Sequence, residues 1–106
     1  RLPINLLSQE MIERETTDTI VIHCADTPDD RDVDMATIKK WHVEERGWSD
    51  IGYHFVIRRN GLVEAGRDIK LSGAHARQVN GTSVGVCMVG RENFDPRQFE
   101  SLRDTI

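Results

Sequence analysis

Gly73-Ala74-His75-Ala76 sets an imidazole among residues too small to shield it. The chain then runs through Asn80 and Ser83 into Val84-Gly85-Val86-Cys87-Met88-Val89-Gly90. A histidine flanked by small residues, a polar turn and a glycine-bearing apolar strand suit a place where backbone and imidazole both approach another group closely. Two upstream segments have comparable form, Ile20-Val21-Ile22-His23-Cys24 and Gly52-Tyr53-His54-Phe55-Val56-Ile57. Together they put His23, Tyr53 and His75 at the ends of apolar strands, where α/β proteins tend to build their sites. His23 admits two readings. As a core residue its imidazole needs buried partners, because an unpaired polar group there is costly. As a metal ligand, one neutral nitrogen is satisfied by the ion and the other by an acceptor behind the ring.

The other two histidines read differently. His42 follows Trp41 in a helical stripe and is expected to pack. His54 alternates with Tyr53 along a strand, so the two face opposite ways unless the strand bulges.

These residues need a scaffold, and 106 residues provide one small domain with one core. A net charge of −4 supplies no basic stripe for phosphates, which argues against nucleic acid as a partner. No apolar run approaches bilayer-spanning length, so no membrane insertion is expected, and no charged start precedes an apolar segment as in a signal peptide. The acidic run Asp29-Asp30-Arg31-Asp32-Val33-Asp34 reads as a solvated loop, since it lacks the glycine and closing glutamate of a calcium loop. Cys24 and Cys87 both lie in apolar runs and are expected to be buried, reduced thiols in preference to a disulfide, as suits a reducing cytoplasm.

Along the chain, residues 1–15 read as an N-terminal arm. Thr19 to Cys24 reads as a central strand covered on both faces. Asp34 is placed to cap a helix carrying Met35, Ile38, Trp41 and His42, with Gly47 at its end. Tyr53 to Arg59 alternates as a strand, Asn60-Gly61 signals a type I′ hairpin, and Leu62 to Ala65 returns antiparallel. Ser83 to Val89 is a second buried strand. Asp95-Pro96 with Gln98 opens a last helix whose stripe is Phe99, Leu102 and Ile106. The stripe stops at Ile106 without a cap, which reads as truncation.

The ordered series His23-Cys24-Ala25-x-Thr27, Trp41-His42, Gly47-Trp48, Asp50-Ile51-Gly52-Tyr53-His54-Phe55, Asn60-Gly61-x-Val63-Glu64-x-Gly66-Arg67, Gly73-x-His75-Ala76 and Asn80-x-x-Ser83-Val84-Gly85-Val86-Cys87-x-Val89-Gly90 closely resembles the zinc-dependent N-acetylmuramoyl-L-alanine amidase family of phage-lysozyme type, which also includes peptidoglycan recognition proteins. The resemblance covers Thr16 to Ile106, taken as the amidase domain.

It implies a single α/β domain with a central mixed β-sheet flanked by helices. It also implies zinc as cofactor, with His23 as a metal ligand, Tyr53 as the catalytic phenol and His75 as a substrate-binding residue. The remaining histidine and cysteine ligands are expected beyond Ile106, so the chain alone is expected to be inactive, and Cys87 matches a core position. Zinc with three protein ligands lowers the pKa of a bound water to about 7. The implied activity is hydrolysis of the amide between the N-acetylmuramoyl lactyl group and L-alanine, by a monomeric protein made in the host cytoplasm that meets peptidoglycan (a muropeptide) at the bacterial wall. The rival is a recognition-type module that binds peptidoglycan without cutting it. A role in regulating a phage polymerase is known in such families but has no residue signal here.

Overall fold

A computed structural model describes residues 12–14 and 16–106 of the chain. Most of the proposed arm therefore lies outside the described residues. Within it, the Arg14 N–H donates to the Lys70 carbonyl and the Ser72 N–H to that of Ile12, at 2.7 Å each.

Four strands, β1 (Thr19–Cys24), β2 (Phe55–Ile57), β3 (Val63–Ala65) and β4 (Ser83–Met88), form one sheet in the order β1-β4-β2-β3. β1 and β2 run parallel to β4, and β3 runs antiparallel to β2. The mixed sheet and α/β class expected from the sequence are therefore present. β4 is apolar or small along its length and buried throughout, as a strand flanked on both sides must be. Its side chains alternate between two cores. Cys87 and the following Val89 join Val33, Ile38, Ile51 and Val56 on one face. Val84, Val86 and Met88 join Ile57 on the other.

The sequence reading of β1 as central is corrected. Among the described residues it is an edge strand paired with β4 alone, and Ile20 and Ile22 are 39% and 49% exposed. A run of β-branched residues specifies an extended backbone but not its neighbours. In register, these isoleucines stand beside Val84 and Val86, on the face where the last helix covers β2. The same placement corrects the cysteines: Cys87 is buried, Cys24 at the end of β1 is exposed, and both are free thiols.

Helix α1 (Met35–Lys40) begins where Asp34 Oδ1 accepts the Thr37 N–H at 2.9 Å. It widens into a π-helical turn over Trp41–Glu45, and the Trp48 N–H closes it on the His42 carbonyl at 3.1 Å. Gly47, with φ at +72°, supplies the left-handed residue past the end. The acidic run before α1 is more than a solvated loop. Asp29 accepts the N–H groups of Arg91, Glu92 and Asn93, and Asp32 pairs with Arg58.

The β2–β3 connection also departs from expectation. Gly61 has φ at +90°, whereas Asn60 lies outside the positive-φ region, so the turn is not type I′. The Gly61 N–H donates to the Arg58 carbonyl and the Arg58 N–H to that of Leu62, which makes a three-residue loop closed by a glycine bulge.

Helix α2 (Pro96–Thr105) has the capping box read from Asp95 and Gln98. Its stripe is corrected: Leu102 packs in the core, but Phe99 and Ile106 are 54% and 64% exposed, and the fully buried residue is Gln98. Gln98 Nε2 donates to the Val89 and Ile57 carbonyls at 2.8 and 3.3 Å, so its amide ties α2 to the sheet. No helix among the described residues is long and apolar enough to cross a membrane.

Candidate active site

β1 runs beside β4 from Ser83 to Met88, whereas β2 pairs with it only from Val86 to Met88, so the two strands end level and differ in where they start. The late start of β2 leaves Tyr53 outside the ladder, on the face of β4 where His23 stands beside Cys87. The site lies over the face of β4 that carries Gly85 and Cys87. His23 projects from β1 beside Cys87, Tyr53 precedes β2, and His75 arrives from the turns before β4.

The alternation expected through Tyr53 and Phe55 fails at this point. Strand pairing starts only at Phe55, and the successive carbonyls of Tyr53 and His54 accept the successive N–H groups of Arg67 and Gly66. A regular antiparallel ladder does not do this. Tyr53 consequently packs with Val56 and Cys87, while Phe55 turns to the opposite core.

His75 is the hub. Its Nδ1 lies 3.0 Å from His23 Nε2, and its Nε2 lies 3.2 Å from Ser83 Oγ. The His23 ring centroid is 5.2 Å from that of Tyr53 and 5.1 Å from that of His75. Two glycines make room for the His75 ring: a Cβ on Gly85 would fall 2.6 Å from Cδ2 and Cγ, and one on Gly73 would fall 2.5 Å from Cδ2. Asn80 Oδ1 accepts the N–H groups of His75 and Ala76 at 3.0 and 2.9 Å, pinning the loop. Beneath, His54 is structural, with Nδ1 accepting the Gly85 N–H at 3.0 Å and Nε2 donating to the Leu71 carbonyl at 2.7 Å.

In front lies a cleft of about 320 Å³ lined by His42, Arg46, Trp48, Tyr53, Ala74, His75, Ala76, Arg77 and Asn80. Tyr53 and His75 thus form part of its wall, and His23 stands behind them. His42, read as a packing residue, is buried, with Nδ1 accepting the Gly52 N–H at 2.9 Å, yet it also helps line the cleft. Arg46, with its guanidinium 5.2 Å from the Trp48 ring centroid, and Arg77 give the cleft two cations that the sequence reading did not single out. Nothing in their local spacing marks them.

Burial dominates the electrostatics. It depresses His42 and His75 to about 4; nearby Arg46 adds to the first effect and His23 to the second. Burial also lowers His23 and raises Tyr53 to about 12, so the imidazoles are neutral and the phenol protonated near neutral pH. Burial likewise holds the Cys87 thiol up at about 12.

Among the described residues, no three His, Cys, Asp or Glu side chains gather as a metal-ligand set. Catalytic zinc takes three protein ligands. The described residues offer His23, whose Nε2 faces His75, and do not by themselves fit that ion.

Comparison with known proteins accounts for the arrangement. Residues 13–106 match the N-acetylmuramoyl-L-alanine amidase family. The chain is 45% identical over 102 residues to the endolysin of Escherichia phage T7, covering 89% of this chain and 67% of that protein. Its fold superposes on N-acetylmuramoyl-L-alanine amidase LysC from Clostridium intestinale with a TM-score of 0.75 at 32% identity, covering 89% of this chain and 60% of that one. It also superposes on a variant of Drosophila peptidoglycan recognition protein LB in complex with tracheal cytotoxin, with a TM-score of 0.80 at 25% identity over 92% of this chain and 63% of that one. The chain spans 60 to 67% of the length of these three proteins. With its strand order, its histidine–tyrosine cluster and this match over residues 13–106, the chain belongs to the N-acetylmuramoyl-L-alanine amidase family.

Proposed function

We propose that this chain carries the substrate cleft of a peptidoglycan hydrolase that cleaves the amide joining the N-acetylmuramoyl lactyl group to L-alanine. The observation that carries the reading is the convergence of His23, Tyr53 and His75 on one face of β4, with two of them in the wall of a cleft, in a chain of this family. In this reading Tyr53, kept protonated by burial, donates to the oxygen that gains charge as the amide is attacked, a contribution of about 2–4 kcal/mol for one such donor. His75 contacts the muropeptide. His23 is assigned to zinc as one ligand of a set that the described residues do not complete, so this 106-residue chain alone should hydrolyse little or no wall. The protein acts as a monomer on the bacterial wall after synthesis in the host cytoplasm.

A second reading, a module that binds peptidoglycan without cutting it, is supported by the likeness to the cytotoxin-bound recognition protein. Both readings are tested by incubating the purified chain with cell walls, with and without zinc, and measuring co-sedimentation and newly exposed alanine amines. Wall binding with little amine release supports a cleft with an incomplete zinc site. Rapid release would overturn the ligand assignment, and no binding would overturn both readings. In any zinc-loaded form that hydrolyses walls, Tyr53→Phe should keep the fold and lower kcat about 100-fold, whereas a phenol that only packs would leave turnover unchanged.

A further inference from the structure

Two asparagines of the chain precede glycine, in Asn60-Gly61 and Asn80-Gly81. That pairing has a chemistry of its own. The glycine backbone nitrogen, having lost its proton, can attack Cγ of the asparagine. The new C–N bond closes a cyclic imide, and the side-chain nitrogen leaves as ammonia. Water then opens the ring at either carbonyl, giving aspartate or isoaspartate. Nothing is oxidised or reduced, and glycine, lacking Cβ, leaves its nitrogen open to approach.

The fold treats the two pairs differently. At Asn60 the attacking nitrogen is engaged, because the Gly61 N–H donates to the Arg58 carbonyl at 2.9 Å. Removing that proton would set a bare nitrogen against the lone pairs of the carbonyl oxygen. Ser101 Oγ donates to the Gly61 carbonyl, and Asn60 Oδ1 accepts the Leu62 N–H at 3.0 Å, so the pair is held on both sides.

At Asn80, among the described residues, neither the Gly81 N–H nor the Asn80 Nδ2 has a hydrogen-bond partner, so the attacking and the leaving nitrogen are both untied. Asn80 Oδ1 accepts the N–H groups of His75 and Ala76 at 3.0 and 2.9 Å. Such bonds favour the plane of the amide, whereas attack on Cγ comes from above or below it, so they leave the path open. Oδ1 gains negative charge as the nitrogen adds, and donors already aimed at that oxygen lower the barrier. Asn80 also lines the cleft, which gives water access to the imide.

We infer that Asn80 is a self-modifying position in the cleft wall: with Gly81 it cyclises and deamidates in the folded chain, whereas the more exposed Asn60 is protected. Either product puts a carboxylate on the wall that also carries Arg46 and Arg77. Isoaspartate further routes the backbone through the former side chain, which alters the acceptor that pins the His75 loop. The inference goes beyond the proposed function and needs no substrate.

The test incubates the chain at mildly alkaline pH, folded and in guanidinium chloride. Peptide mapping by mass spectrometry follows the exchange of NH2 for OH at each asparagine and separates isoaspartate from aspartate. The denatured chain gives each pair its intrinsic rate. The ratio of folded to denatured rate should be at least about tenfold larger at Asn80 than at Asn60. Equal ratios, or a larger one at Asn60, would overturn the inference. So would an Asn80 that stays intact in the fold while the denatured chain converts. Gly81 lies outside the positive-φ region, so its backbone suits alanine. Gly81→Ala crowds the attacking nitrogen, keeps both N–H donors and should slow conversion of Asn80 with loss of the isoaspartate product. Conversion at an unchanged rate would mean direct hydrolysis of the side chain and would remove the cyclisation.

Discussion

Gly85→Ala tests whether the His75 ring is held as tightly as the geometry requires. The added methyl would stand 2.6 Å from Cδ2 and Cγ of His75 and 2.8 Å from its Nδ1, against an ordinary contact of about 3.5–4.0 Å. The Gly73 backbone prevents the ring from shifting sideways, so it must lift from β4 and leave both His23 and Ser83. Overpacking costs about 1–3 kcal/mol, and each surrendered hydrogen bond adds about 0.5–1.5 kcal/mol. Replacing a strand glycine recovers about 0.5–1 kcal/mol of chain entropy. The net loss should be about 2–4 kcal/mol. In a His75→Ala background the obstacle is gone, and the same methyl should cost nothing or stabilise slightly. Urea denaturation of the four proteins of this cycle, followed by circular dichroism, should give a coupling energy of about 2–4 kcal/mol. Equal costs of Gly85→Ala in the two backgrounds would refute the argument, since the strain would then arise from something other than the ring.

Other outcomes follow from burial. His42 is neutral in the fold down to about pH 4, whereas the unfolded chain protonates it near 6.5, so the unfolded state binds more protons between those values. Its stability contribution should be complete above pH 6.5 and fall by about 1–2 kcal/mol as pH drops towards 4, after allowing for water at the cleft wall; unfolding midpoints that do not move over this window would contradict the burial. Cys24 should react with a thiol reagent in the native protein and Cys87 only after unfolding; two groups titrating at once would show that the β4 face is open. Gln98→Leu should destabilise by about 2–3 kcal/mol, because the amide that reaches the Ile57 and Val89 carbonyls and accepts the Asp95 N–H is lost; a neutral result would mean that apolar packing alone docks α2.

Much of the chain can be read locally. Asp34, Gly47 and the Asp95-Pro96-x-Gln98 sequence mark helix ends because capping depends on neighbours a few residues away. The unbroken apolar run of β4 reads as a flanked strand for the same reason. What eluded local reading depended on partners far along the chain. The β-branched run of β1 carries no information about whether one strand or two will pair with it. Counting apolar residues on α2 selected Phe99, since periodicity cannot register that an amide at position 98 finds two strand carbonyls. The site shows the same division. His23, Tyr53 and His75 can be named from glycine-flanked strand segments, and the family resemblance supplied their roles. Their meeting over the face of β4 depends on the pairing of strands far apart in the chain. The broken alternation at Tyr53, and the place of Arg46 and Arg77 in the cleft, have no signature in the local pattern.

Among the described residues, β1 is joined to the sheet along one side only, and it is the strand that carries His23. Detaching it breaks a single ladder, whereas releasing β4 breaks two. Opening of β1 should therefore need less free energy than global unfolding, and its amides should exchange with solvent deuterium sooner than those of β4. Each such opening also withdraws an imidazole from His75, so the lifetime of the site is set by an edge strand of the sheet, and the exchange rates of Ile22 and His23 amides become a clock for how long the cluster stays assembled.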